Sequence, residues 1–341
     1  MNAGGISVQK IIWALDAFEA DHALLQHAID TIHGLKQRFP KALVQPVYVF
    51  TPGQFSLSSE IATPYSGPWL DQFRPAAEKA LATLMKSIPR DWQTLPPRVL
   101  TQGFSSNFGA VKSLIKFSNQ WQADLIVSSS HGRKGLKRLV LGSFSESLVQ
   151  RSPVPVIVVG PSSRTVRSFE RILFPTQFGK LSKDAFRECI GLAKSLQSKV
   201  TLFHALPHPF EPVFQAGVYL LGGNWIPAEN YYSHDLGHHE RHVHHWVRYA
   251  QRQGVECDQN IQTEARLIAT SIVQLAIKYK HSMICMEMQS GPWMSALLGS
   301  ITKQVLRSSP CPVVVLNSAY LNKAAQTSSR KRAARIERKA A

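Results

Sequence analysis

Short β-branched runs alternate with longer amphipathic stretches along the whole chain, and the alternation is laid down twice. In the first half, the apolar runs predict strands at Ile11–Leu15, Leu43–Phe50, Arg98–Gln102, Asp124–Ser128 and Val154–Val159. Helical spacing fills the gaps at about Asp21–Phe39, Leu70–Ser87, Asn107–Gln120 and Ser143–Arg151. In the second half, strands fall at Arg171–Pro175, Lys199–Leu206, Gln259–Glu264, Ser282–Met286 and Val313–Leu316. Such alternation implies parallel strands joined by right-handed helical crossovers. The expected fold class is α/β, with two doubly wound five-stranded parallel sheets. Ligands of such sheets sit at the carboxyl ends of the strands, where strand order reverses.

The doubling is also visible in the letters. "LGSFSESLVQRSPVPVIVV" (Leu141–Val159) aligns without gaps on "LGSITKQVLRSSPCPVVVL" (Leu298–Leu316), every position moving by 157. The openings "IIWALDAFE" from Ile11 and "RILFPTQFG" from Arg171 are also alike. The expected organisation is a first domain over 1–160, a linker over 161–169, a second domain over 170–318 and a basic tail over 319–341. The last strand of each copy is short and apolar. An unprotected apolar edge invites pairing, so the copies are expected to join through these strands as a pseudo-dimer within one chain, with a homodimer as a further option. The plainer alternative is that both strands are simply buried core.

Charge narrows the partners. The chain of 341 residues carries a formal net charge of +17, which suits anionic partners such as nucleotides, nucleic acid or an acidic surface. Between Leu321 and Ala341 seven basic residues face Glu337 alone, a net of +6, which leaves the remainder basic by +11. No apolar run approaches the roughly 18 residues of a membrane helix, and "MNAGGISVQK" has no hydrophobic core of a signal peptide. The four cysteines, Cys189, Cys257, Cys285 and Cys311, lack metal-type spacing and read as reduced thiols of a cytoplasmic protein.

Candidate chemistry concentrates in "SSSHGRKGLKRLVLGSFSES" (Ser128–Ser147). Counting back nine residues from Gly142-Ser143 reaches Gly132, and two more lead to Ser129. Gly132 directly follows a strand, where the chain must turn sharply and let backbone approach a ligand. Gly142-Ser143 opens a helix whose free N–H groups and positive end favour phosphate. Ser143 and Ser145 add hydroxyls, and Arg133, Lys134, Lys137 and Arg138 make the intervening loop positive. The same Gly-Ser pair is also a routine N-cap that needs no ligand.

This pattern resembles the universal stress protein family, whose nucleotide-binding branch carries Gly, two residues, Gly, nine residues, then Gly-Ser or Gly-Thr. Ser129 stands where that pattern has its first Gly, and Asp16, ending the first strand, matches another mark of the family. The resemblance covers about residues 8–318 and implies an adenine nucleotide alpha hydrolase-like fold. It implies a protein of stress response that binds ATP, with Mg²⁺ as an option. The strand-one Asp and a Val ending strand two lie near adenine and ribose in the family, and map onto Asp16 and Val49. Ser129, His131, Gly132, Gly142, Ser143, Phe144 and Ser145 complete the expected nucleotide contacts. The second copy keeps Gly299-Ser300, but a shift of 157 puts Gln289 at the Gly132 position and Met286 at the Ser129 position, while Gln177 replaces the strand-one Asp. No nucleotide is expected there.

Two other features carry weaker chemistry. In "SHDLGHHERHVHHWVRYA" (Ser233–Ala250), His234, His238, His242 and His245 share one helical side, opposite Leu236, Val243, Trp246, Val247 and Ala250. Such a row can bind a transition metal, but no Cys or spaced carboxylate completes a shell, so a solvated face is expected. The tail offers contacts to nucleic acid or an acidic partner, without interleaved aromatics for base stacking. No paired carboxylates or nucleophile–base set converges on the loop, so the expectation is a binding protein and not an enzyme.

Overall fold

The computed structural model describes residues 7–19, 21–50, 67–89, 92–101, 107–130, 143–179, 181–207, 218–219, 225–226, 241–265, 267–288 and 299–326. Repeat one runs β1 (Lys10–Ala14), α1 (His22–Arg38), β2 (Leu43–Phe50), α2 (Gly67–Met85), β3 (Arg98–Thr101), α3 (Asn107–Trp121), β4 (Leu125–Ser129), α4 (Ser143–Arg151) and β5 (Val156–Val159). Repeat two runs β6 (Arg171–Pro175), α5 (Ser182–Leu196), β7 (Lys199–Pro207), the hairpin β8 (Val218–Tyr219) and β9 (Trp225–Ile226), and α6 (241–252). It ends with β10 (Cys257–Ala265), α7 (Ile268–Lys278), β11 (Met283–Met288), α8 (Ser300–Ser308), β12 (Val313–Asn317) and α9 (318–326).

The ten long strands form one sheet in the order β10-β7-β6-β11-β12-β5-β4-β1-β2-β3. Within each half of this sheet neighbours are parallel, and at the joint β12 and β5 meet antiparallel. Each half is therefore a doubly wound five-stranded sheet, and the two halves form an intramolecular pseudo-dimer. Helices cover both faces, so the central strands are mainly apolar and every residue of β4, β5 and β12 is buried. The start of α1 follows local chemistry. The Asp21 carboxylate accepts from the Ala23 and Leu24 N–H groups, both at 3.1 Å, and caps α1.

The joint obeys the 157-residue shift. Ile157 lies opposite Val314, flanked by Val156–Val315 and Val158–Val313, so the pseudo-two-fold axis passes through the Ile157–Val314 pair. Off the strands, Glu146 of α4 meets Lys303 of α8 at 2.9 Å, and these too are 157 apart. In a dimer of identical repeats that position would face its own copy and oppose like charges. The Glu–Lys pair therefore favours unlike repeats over self-pairing. Asn317 Nδ2 reaches across to the Val149 and Ser152 carbonyls at 2.8 and 2.9 Å, closing the end of α4.

The linker is tied down as well. Arg167 Nε donates to Asp30 Oδ1 at 2.9 Å, and that carboxylate is only 4% exposed. Beside it the chain crosses α1 at Gly34, where an added Cβ would lie 2.9 Å from the Arg167 carbonyl oxygen and 3.0 Å from the Phe169 ring. Helix propensity alone favours Gly34→Ala by about 1 kcal/mol. The clash is with backbone that cannot swing aside, so a net destabilisation of about 1–2 kcal/mol is expected, measurable by urea unfolding. Past β12, Leu321 of α9 is buried and Tyr320 donates to Glu188 Oε2 at 2.6 Å. Packing thus continues beyond residue 318, and the basic run 327–341 lies outside the described residues.

Candidate functional site

The strand order of repeat one reverses between β1 and β4, because β1 pairs β2 on one side and β4 on the other. The carboxyl ends of these strands carry the residues that the sequence singles out. Asp16 follows β1, half-buried, and its Oδ1 accepts from the Phe18 N–H at 3.0 Å, which holds the turn. Val49 is buried near the end of β2. Next to it Tyr48 is buried, and burial together with the Asp16 charge pushes its phenol well above the usual range. Phe18 packs edge-on to Tyr48 with ring centroids 5.8 Å apart. A carboxylate, a phenol and one further aromatic ring thus gather at the β1–β2 end.

At the β4–α4 end, Ser128, Ser129, Ser130 and Ser145 are all buried. Ser145 Oγ donates to the Ser129 carbonyl at 3.1 Å and lies 3.5 Å from Ser128 Oγ. Ser128 therefore faces α4, and strand alternation turns the Ser129 side chain to the other face. Ser129 thus contributes its carbonyl on the α4 side. Its Cβ, which stands where a glycine would leave open space, points away. Ser143 is exposed at the first position of α4, and Phe144 is half-buried. His131, Gly132 and Gly142 lie outside the described residues. Sequence reasoning missed Ser128, Ser130 and Tyr48. The signal was present in the Ser-Ser-Ser run, since period-two alternation puts its first and third members on the face that meets α4.

Repeat two shows what the same frame looks like with other residues. Asp124 N–H donates to the Lys10 carbonyl, and Ser282 N–H to the Arg171 carbonyl, both at 2.9 Å. These positions are 158 apart, although α4 and α8 keep the spacing of 157. The segment between strand and helix is one residue shorter in repeat two. This corrects the alignment read from the letters: Glu287, not Met286, stands at the Ser129 position, and Met286 and Met288 replace Ser128 and Ser130. Thr302 replaces Ser145. The Glu287 carboxylate turns to the α5 face and accepts from Ser182 Oγ. Gln177 follows β6 where Asp16 follows β1.

The profile of the universal stress protein family matches residues 7–160 and again 168–317. The chain belongs to the universal stress protein family. A universal stress protein of Methanocaldococcus jannaschii is 25% identical over 154 residues, covering 44% of this chain and 81% of its own. Among solved structures, a universal stress protein from Archaeoglobus fulgidus superposes with a TM-score of 0.61 at 17% identity, over 92% of this chain and 99% of its own. A Pseudomonas aeruginosa protein of unknown function does so with 0.56 at 14% identity, over 95% and 98%. At these identities the superpositions speak for the tandem fold alone. The double match identifies a tandem universal stress protein, a member of a family of stress-response proteins.

The cysteines are structural in character. All four cysteines are buried and free as thiols. Burial pushes Cys257 and Cys311 up to about 12, so they stay protonated and unreactive. His242 and His245 lie exposed on α6, whose Val243, Trp246 and Ala250 are buried, as the sequence pattern implies. His234 and His238 lie outside the described residues. Among the described residues no His, Cys, Asp and Glu side chains group as a metal site. No described helix is long and apolar enough to cross a membrane.

Proposed function

We propose that repeat one of this stress-response protein binds an adenine nucleotide, ATP accompanied by Mg²⁺, and that the chain acts as a non-catalytic sensor of it. Repeat two completes the pseudo-dimer without a nucleotide of its own. The observation that carries this reading is the pair of buried hydroxyls of Ser128 and Ser145 that meet at the opening of α4, with buried Ser130 following and half-buried Asp16 after the neighbouring β1. Hydroxyls there can both donate to phosphate oxygens and accept from ribose. The helix start and the basic loop residues Arg133, Lys134, Lys137 and Arg138 favour the anionic end. Repeat two has a thioether floor and Gln177 in the same places. A cytoplasmic setting suits the buried free thiols.

Calorimetric titration of ATP with Mg²⁺ tests the proposal. Saturation at one site per chain is expected, with no heat from Gly132→Glu. Ser145→Val, which removes one donor, is expected to weaken binding by about tenfold. No heat and no thermal stabilisation in the unaltered protein would favour a second reading. In that reading the tandem fold is a scaffold acting on proteins or nucleic acid through its basic surface, which the net charge of +17 supports.

A further inference from the structure

Repeat two holds a cavity of about 270 Å³ at the carboxyl ends of β6, β7 and β11, bordered by the starts of α7 and α8. Its apolar wall is made by Phe203, Ala205, Ile268, Ile272, Met286 and Met288. Thr176, Gln177, Glu287, Ser300 and Thr302 supply the polar part of the lining. The volume corresponds to roughly nine waters at about 30 Å³ each, which suits a ligand of roughly ten non-hydrogen atoms.

The lining is a rewritten version of the hydroxyl floor in repeat one. Met286 and Met288 stand in the register positions of Ser128 and Ser130, so two polar side chains have become flexible, polarisable apolar ones. Gln177 removes the negative charge that Asp16 places at the other repeat's opening. The Glu287 carboxylate, turned towards Ser182, does not occupy the thioether face. The charge at the helix start also differs. The first turn of α4 contains Glu146, whereas that of α8 contains no acidic residue, and its cap, Gly299, brings no side chain. Gly299, Ser300 and Ile301 border the cavity at this end, so a helix start without a side-chain cap opens onto the chamber.

We propose that this cavity binds a small apolar monocarboxylate. The hydrocarbon part lies among Phe203, Ile268, Ile272, Met286 and Met288, and its burial supplies most of the affinity. The carboxylate lies at the start of α8, beside Thr302. The cavity sets the ligand class, and the helix end decides which way round the ligand enters. A polyphosphate is disfavoured because the thioether floor offers it no hydroxyls and the volume is too small for it. The proposal does not rest on nucleotide binding in repeat one.

The test uses the full chain with ¹³C-methyl-labelled methionine, since Met286 and Met288 report directly on the cavity while Met85 of α2 lies in the other repeat. Octanoate, with ten non-hydrogen atoms, is titrated against octylamine, which has the same number of carbons and the opposite head charge. Saturable shifts of the Met286 and Met288 methyls with octanoate are expected, with Met85 unmoved and octylamine weaker by about tenfold or more. Ile268→Trp, at a half-buried position of the lining, is expected to abolish the shifts by filling the space, and Met286→Leu to keep the shift of the Met288 methyl. If Ile268→Trp does not fold, Met286→Ser, which restores the residue type of repeat one, decides by weakening octanoate about tenfold. No saturable shift at millimolar octanoate overturns the proposal. Equal binding of octylamine, or equal shifts with ATP, overturns it as well.

Discussion

Ile157→Asp is expected to cost about 4 kcal/mol or more of stability at neutral pH, the largest effect of any single change considered for this chain. Ile157 is fully buried and sits on the pseudo-two-fold axis against Val314, itself fully buried. A carboxylate there loses its water and gains no partner, because the neighbouring ladder positions are Val156, Val158, Val313 and Val315. Such a loss is a large part of the roughly 5–15 kcal/mol that holds a typical domain folded. Ile157→Leu keeps the volume and is expected to cost less than about 1.5 kcal/mol. Urea unfolding followed by circular dichroism separates the outcomes. The Asp variant should lose the transition of the parent and regain part of its stability at acid pH, where the carboxyl is neutral. A midpoint close to the parent's at pH 7 would show that β5 and β12 are not paired in solution.

The second large effect is acid sensitivity through His281. Its ring is buried, with Nε2 2.9 Å from Thr201 Oγ1. Burial, helped by the nearby Arg171 charge and opposed by Asp258, lowers its pKa from 6.5 to about 4. The native state therefore keeps a neutral ring in a range where the unfolded chain has already taken up a proton. Stability from this group is fully present above pH 6.5, falls as the pH drops from 6.5 towards 4, and is flat below that. The full span is worth roughly 3 kcal/mol, from about 1.4 kcal/mol per unit of pKa difference. His281→Asn keeps a polar side chain without the proton uptake. Its unfolding free energy is expected to change less between pH 7 and pH 4.5 than that of the parent by about 2–3 kcal/mol. Equal pH slopes would show that His281 is charged, or water-exposed, in the folded protein.

Much of the fold was legible because most elements carry their own signal. β2, β6 and α4 form over the residues that the apolar pattern marks, Leu43–Phe50, Arg171–Pro175 and Ser143–Arg151. Where the pattern is weak, neighbours decide. β10, "CDQNIQTEA", is a polar edge strand that extends to Cys257–Ala265 because β7 offers it a ladder along that length. The hairpin of β8 and β9 has two residues in each strand, too few to show any period. The clasp of Arg167 on Asp30 over Gly34 joins residues 137 positions apart and leaves no local trace.

The candidate site was legible in place but not in detail. Asp16, Val49 and the β4–α4 corner do gather at the switch point, since strand ends and helix starts follow from local pattern. Counting letters put the weight on Ser129, whereas the direction of a side chain depends on strand phase: Ser128 meets Ser145, and alternation turns Ser129 to the other face. The gap-free shift of 157 was also correct only from the helix onward. The missing residue lies before α8, where no repeat letter could reveal it, and it took the paired N–H groups of Asp124 and Ser282 to do so.

The central claim is that one fold, used twice, presents a nucleotide-competent hydroxyl floor in repeat one and an apolar floor in repeat two. Hydrogen exchange of the full chain with and without ATP and Mg²⁺, read peptide by peptide, tests it most directly. Slower exchange is expected over the segments that contain Asp16 and Ser128–Ser145, with none over Met286–Thr302. Protection over Met286–Thr302, or over neither repeat, would contradict the account.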